Sequence, residues 1–195
     1  QYQVLTKRPQ RALEWWNWHR WKGPGRPSHF LHRSLWLGVS VENQRYADER
    51  IPLLAQIPAA VRFLSCEPLL GPVDLAPWRL SWVIVGGESG PGARPCDLSW
   101  IRGIIGQCKE AAVPVFVKQL GANPLERLPY AGGQGVDQAL ASIGEPGRYI
   151  GRPVGYTLIH SGEDSWWQRN LRLKDRKGGD MAEWPADLQV REFPR

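Results

Sequence analysis

The chain has 195 residues, 42% of them apolar, and its 25 basic against 19 acidic side chains give a formal charge of +6 and a pI of about 9.5. That length suits one domain with a sizeable core, and that apolar content excludes wholesale disorder. No uninterrupted apolar run approaches the roughly 18 residues needed to cross a bilayer, so no membrane association is expected.

The positive balance favours an anionic partner, nucleic acid or a phosphorylated ligand. Eleven tryptophans are available as core anchors, partner contacts or stacking platforms for bases. Cys66, Cys96 and Cys108 are widely spaced and include no C-x-x-C, so free thiols in a reducing, cytoplasmic compartment are expected. These three alone make no metal or cluster site. The chain opens on Gln1 and its single methionine is Met181, so it reads as a fragment lacking its native start.

In chain order, Tyr2 to Leu5 reads as a strand closed by Thr6-Lys7-Arg8-Pro9. Gln10 to about Trp21 has helical spacing in Leu13, Trp16 and Arg20, with Trp15 and Trp18 beside them, and the Pro/Gly-rich stretch from Gly23 to Ser28 breaks it. Lys7, Arg8, Arg11, Arg20, Lys22, Arg26 and Arg33, together with His19, His29 and His32, interleave with these tryptophans. Basic residues alternating with aromatics make this the best nucleic-acid patch in the sequence. The reading set against it, and preferred, is a surface helix whose tryptophans face the core and whose arginines are solvated.

Leu35 to Val41 is a second strand, ending in Glu42-Asn43, with a helix expected behind it through Ala55. Val61 to Leu64 is a third, ending in Ser65-Cys66-Glu67-Pro68, and Leu69 to Pro77 is a proline-broken connection. Trp82 to Val85 is a fourth, a β-branched run closed by Gly86-Gly87, Glu88 and Ser89 and by a loop holding Gly90, Pro91 and Gly92. Paired glycines at a strand end allow a sharp turn and a close approach by another group. Asp97 is the expected N-cap of a helix over Leu98 to Ala111, and Val113 to Val117 is a fifth strand ending in Lys118-Gln119.

Short apolar strands alternating with crossovers predict an α/β fold: a partial β/α barrel-like parallel sheet of about five strands. The expected organisation is a barrel-like portion over 1–121, an irregular insertion or lid over 122–170 containing a short strand at Tyr156 to Ile159, and a tail over 171–195 packed on the same domain. In the tail, the cluster Lys174-Asp175-Arg176-Lys177 reads as a solvated face, with an anion site near Gly178-Gly179 as the alternative. The functional signal is convergence: Lys7 and Arg8, Glu42, Glu67, Glu88 and Lys118 close successive strands, and parallel strands place such residues on one ligand-binding edge.

Several blocks together resemble one family: Val4-Leu-Thr-Lys-Arg-Pro9, Leu37-Gly-Val-Ser-Val-Glu-Asn43, Arg62-Phe-Leu-Ser-Cys-Glu-Pro-Leu-Leu-Gly71, the stretch from Trp82 to Arg94, Val117-Lys-Gln-Leu-Gly121, and Asp175-Arg-Lys-Gly-Gly179 with Glu183-Trp-Pro185. They resemble a bacteriophage- and mobile-element-associated family of uncharacterised proteins. Its intact members begin with a three-cysteine motif similar to the iron–sulfur site of radical S-adenosylmethionine enzymes. The resemblance implies a parent enzyme with a [4Fe–4S] cluster and S-adenosylmethionine, a missing N-terminal part carrying the cysteines, and no cofactor in this piece alone.

Under that resemblance Glu42, Glu67 and Glu88 position cofactor or substrate as the catalytic set. Gly86, Gly87, Glu88 and Ser89 form a cofactor-binding turn, and Lys7, Arg8, Arg94 and Lys118 meet phosphates. Gly86-Gly87-Glu88 invites comparison with the segment that holds the cofactor's amino group in that superfamily. It follows a late strand here, which favours recognition of an anion and hydroxyls, as in a nucleotide. The alternative is a nucleic-acid-binding protein without catalysis, using the Trp/Arg-rich segment from Lys7 to Arg33.

Overall fold

A computed structural model of the chain describes residues 1–20, 33–129, 157–161 and 164–194. The expectations for Trp21 to His32 and for Gly132 to Pro153 lie outside the described residues. Strands β1 (Tyr2–Thr6), β2 (Leu35–Ser40), β3 (Val61–Cys66), β4 (Trp82–Gly86) and β6 (Val115–Gln119) form one parallel sheet in the order β1-β2-β3-β4-β6. These are the five strands expected from the apolar runs, and with their helices they make a partial β/α barrel-like fold.

Local chemistry explains the connecting helices. Helix α1 (Pro9–Arg20) begins on a proline, whose missing N–H is no loss in a first turn. Helix α2 (Gln44–Ala55) is capped by Asn43, whose side chain accepts from the Tyr46 N–H. Helix α3 (Leu98–Glu110) is capped by Asp97, which accepts from both the N–H and the hydroxyl of Ser99. No helix among the described residues is long and apolar enough to cross a membrane.

The period-two alternation of the strands gives the sheet two different faces. Leu37, Val39, Leu64, Val83, Val85, Val115 and Val117 form one core with Leu13 and Trp16 of α1, Ile51 and Leu54 of α2, and Ile101 and Ile104 of α3. On the other, inner face the N-terminal halves of the strands carry Trp36, Phe63, Trp82 and Phe116. Phe63 lies over Gly38, where a Cβ would collide with its ring. Phe193 packs tilted against Trp82 and edge-on against Phe116 at centroid distances of 5.7 and 5.2 Å, and the Trp82 indole donates to the Glu192 carbonyl at 2.9 Å. The tail also pairs with the outer edge of β6, through Val117 N–H to Val190 O and Glu192 N–H to Val115 O.

Among the described residues β1 is the end strand at the other edge of the sheet, and Tyr2, Val4 and Leu5 are exposed. A second sheet has the order β5-β7-β9-β8, from β5 (Cys96–Asp97), β7 (Pro124–Pro129), β8 (Thr157–Ser161) and β9 (Asp164–Asn170). Within the stretch 122–170 expected to be irregular, the described residues are therefore largely strand. Charge masks the pattern there, because Glu126 is buried on β7 and balanced by Arg102 from α3 and Arg169 from β9.

Candidate functional site

Because the five strands run parallel, their C-terminal ends share one edge, and the residues that follow them form a rim. Lys7, just past β1, places Nζ 2.6 Å from Glu42 Oε1, just past β2. The other Glu42 oxygen accepts from Arg50 Nη1 at 2.9 Å, and the same nitrogen donates to Ser40 O at 2.7 Å. Arg50 in turn lies 4.0 Å over the Tyr46 ring. Burial pushes the Glu42 carboxyl up, but hydrogen bonds from Lys7 and from its own backbone N–H, with Arg50 adjacent, outweigh it and hold the pKa below the usual value.

Glu67, just past β3, is held from β6. Lys118 Nζ stands 3.0 and 2.9 Å from its two oxygens, and Gln119 Nε2 donates to Oε1 at 2.9 Å and to Gly87 O at 3.1 Å. The end of β4 lies between these two strands, and there the chain is Gly86-Gly87. A Cβ on Gly86 would sit 3.0 Å from Gln119 O, and one on Gly87 would collide with the Leu120 carbonyl. Both glycines are used for close packing against β6.

Glu88 forms a fork with Arg94: Nε to Oε2 at 2.8 Å, Nη2 to Oε1 at 2.9 Å, and the Arg94 N–H to Oε2 at 2.9 Å. These hydrogen bonds hold the Glu88 carboxyl at about 2, well below its usual 4.5. Ser89 is exposed in the loop that closes the fork. The hydrogen bond to Glu88 raises the Arg94 pKa, and the field of Glu42 adds to it.

The C-terminal segment completes this edge. Gly178, at φ +66°, packs so closely on the backbone of Gly121, at φ +88°, that a Cβ on Gly178 would clash, and a Cβ on Gly121 would in turn clash with the backbone of Glu88. Leu120 N–H and the Trp184 indole both donate to Gly178 O. The anion site considered near Gly178-Gly179 is filled by the chain's own carboxylate: Asp175 accepts from the N–H groups of Lys177, Gly179 and Asp180, which lowers its pKa. Arg176 and Lys177 project from this loop into solvent.

Lys7, Glu42, Glu67, Glu88, Arg94 and Lys118 are thus brought to one rim, while Arg8 follows Lys7 exposed and its N–H caps Thr6 Oγ1. Arg50 and Gln119 were not anticipated. Gln119 was signalled only by its position beside Lys118 at a strand end, and Arg50 by nothing short of its return from α2.

The implied cofactors can be tested on the donors present. Cys66, Cys96 and Cys108 are buried, unpaired thiols, and burial pushes Cys96 and Cys108 up to about 12 and Cys66 higher still. Among the described residues no group of three or more His, Cys, Asp or Glu is placed to hold a metal ion. These residues do not fit an iron–sulfur cluster. Nor does Gly86-Gly87-Glu88 fit an ammonium cradle, because Arg94 takes both Glu88 oxygens.

A family model described as "Protein of unknown function (DUF5131)" matches residues 1–174. No curated protein and no solved structure matches the chain.

Proposed function

The chain belongs to that family of proteins of unknown function, and from this premise we propose that it is the substrate-facing part of a phage-associated, radical-S-adenosylmethionine-like enzyme acting on a nucleotide or nucleic acid. The observation that supports this reading is the rim itself, where successive parallel strands deliver Lys7, Glu42, Glu67 and Lys118, with Arg94 and Glu88, to the edge at which α/β enzymes bind ligands. Lys7, Arg94 and Lys118 suit phosphate oxygens. Glu88, ionised down to about pH 2, holds Arg94 in place and is no proton donor near neutrality. Glu42 positions Lys7 in the same way.

The cluster and S-adenosylmethionine, which would supply radical initiation, enter the proposal only with the intact parent, their donors lying outside the described residues. Among the described residues β1 has no neighbour on its outer edge, and with Tyr2, Val4 and Leu5 exposed this supports pairing with a further strand of the parent.

The test is to express the chain with the coding sequence found in frame upstream of Gln1. That product is reconstituted with iron and sulfide without oxygen, then given S-adenosylmethionine, a chemical reductant and either AMP or an oligonucleotide. Cofactor cleavage quickened by the nucleotide or oligonucleotide is expected. A colourless protein that leaves the cofactor intact overturns the reading.

A second reading, nucleic-acid binding without catalysis, is favoured by α1, which buries Trp16 in the core but exposes Trp15 and Trp18 on the same helix as exposed Arg11. Base stacking there predicts that Trp15→Ala with Trp18→Ala weakens oligonucleotide binding, by about 1–3 kcal/mol per stacked base. Unchanged binding removes it.

A further inference from the structure

We propose that Ser40 and Ser65 are ligand-binding residues and that the ligand enters base first. A nucleobase sets its polar edge on the two hydroxyls, while the phosphate that trails it stays among the cations of the rim. The inference rests on the rim being the ligand site of the reading above, and it gives that site a floor.

Alternation along the strands fixes where the two hydroxyls point. Ser40 is flanked by Val39 and Val41, and Ser65 by Leu64 and Cys66, all wholly buried in the core under the helices. Ser40 and Ser65 therefore face the other way, onto the inner face that carries Trp36 and Phe63. They are register partners on neighbouring strands and so stand side by side. They are only 4% and 5% exposed. Each uses its backbone carbonyl, Ser40 for Arg50 and Ser65 for the Val41 N–H, but among the described residues neither hydroxyl is hydrogen-bonded. Buried hydroxyls are nearly always paired, so two left free side by side call for a partner from outside the chain.

The surroundings select that partner. Glu42 and Glu67 lie one alternation further along the same two strands, and each already holds a cation, Lys7 or Lys118. An anion is repelled from that depth, and a further cation finds its counter-charge taken. The deep group is therefore neutral and both donates and accepts. Beside the hydroxyls the inner face is apolar: the Phe63 ring lies over Gly38, one alternation before Ser40, and Ile84 is the register partner of Ser65 on β4, with Phe116 next to it on β6. A flat ring with a hydrogen-bonding edge suits this combination, whereas a sugar would set its hydroxyls against Phe63 and Ile84.

The cations then fall where the phosphate needs them. Lys7 and Lys118 start from β1 and β6, but their ammonium groups are drawn to Glu42 and Glu67, past the ends of β2 and β3 and over the two serines. Their side chains are 60% and 54% exposed, and an ammonium held by one carboxylate keeps an N–H for a second acceptor.

The experiment is calorimetric titration of the whole chain with AMP, GMP, CMP and UMP, and with ribose 5-phosphate, which has the sugar and the phosphate but no base. The wild type is expected to bind at least one nucleotide, and ribose 5-phosphate more weakly. Ser40→Ala and Ser65→Ala should each weaken that nucleotide roughly fivefold, the usual contribution of one neutral hydrogen bond, without weakening ribose 5-phosphate further. Lys7→Ala and Lys118→Ala should weaken both ligands. Because neither hydroxyl serves the fold, the serine variants should melt at the wild-type temperature.

Equal losses for the nucleotide and ribose 5-phosphate overturn the base-first inference while leaving a nucleotide site at the rim. Unchanged nucleotide affinity in both serine variants, or a lowered melting temperature in both, also overturns it, as does a wild-type chain that binds none of the nucleotides. Cofactor cleavage by the reconstituted parent is measured separately, so failure of the base site and failure of the enzyme reading are distinct outcomes.

Discussion

Lys118 on β6 grips Glu67 at the end of β3 although the two strands are not neighbours: β4 runs between them, and the ammonium lies 3.0 and 2.9 Å from the two carboxylate oxygens. The crossing occurs where β4 ends in Gly86-Gly87, and Gln119 makes the same crossing to Glu67. Gly86 leaves room for Gln119 as it makes that crossing, since a Cβ there would lie 3.0 Å from its carbonyl oxygen and 3.3 Å from its Cγ.

This relationship predicts an unequal pair of variants. Glu67→Ala removes a carboxylate whose main partner is half exposed, and should cost only about 1 kcal/mol. Gly86→Val adds apolar bulk but drives a Cβ towards Gln119 O, and overpacking of that kind costs about 1–3 kcal/mol. Urea midpoints should rank Gly86→Val below Glu67→Ala. The reverse order would show that the glycines are not what keeps the crossing clear.

Glu88 should titrate at about 2 by carbon-detected NMR, against an ordinary value of 4.5, and Arg94→Ala should return it towards the ordinary value. The sign follows from a depressed folded-state pKa: the fork's contribution is complete above the unfolded value and is lost as pH falls towards 2. Acid unfolding curves of wild type and Arg94→Ala should therefore differ above pH 4.5 and converge below about 2.

The three thiols should resist labelling. All are buried, and Cys96 and Cys108 are pushed up to about 12, so almost no thiolate exists at neutral pH. A thiol reagent that modifies Cys66, Cys96 and Cys108 promptly in denaturant should leave them unmodified in the folded chain. Rapid labelling of the native protein would contradict the packing of α3 against the sheet.

Glu126 is 1% exposed, with Arg102 Nη2 3.2 Å from one oxygen and Arg169 Nη2 2.7 Å from the other. Glu126→Ala leaves two guanidiniums without this counter-charge. It should cost about 3 kcal/mol, the low end for a broken buried pair because both arginines keep some contact with water. Denaturant midpoints of the wild type and variant measure it.

The five parallel strands were legible because each is a β-branched or aromatic run closed by polar residues, and the cap Asp97 announced α3. The second sheet was not. Pro124-Leu-Glu-Arg-Leu-Pro129 carries a proline at each end and a charge pair in the middle, so its hydrophobic alternation is broken. Arg102 and Arg169, 24 and 43 residues away, balance the buried charge of Glu126, and no local window contains them. At the rim, strand ends showed which charges share an edge, but not that each carboxylate is already held by a cation. Ion pairing depends on which side chains meet across strands, and for Lys118 and Glu67 that meeting skips a strand altogether.

Five aromatic rings, from Trp36, Phe63, Trp82, Phe116 and Phe193, cork the far end of the inner face. Trimming the chain before Phe193 would strip one ring from that cluster and bare Trp82 and Phe116 to water.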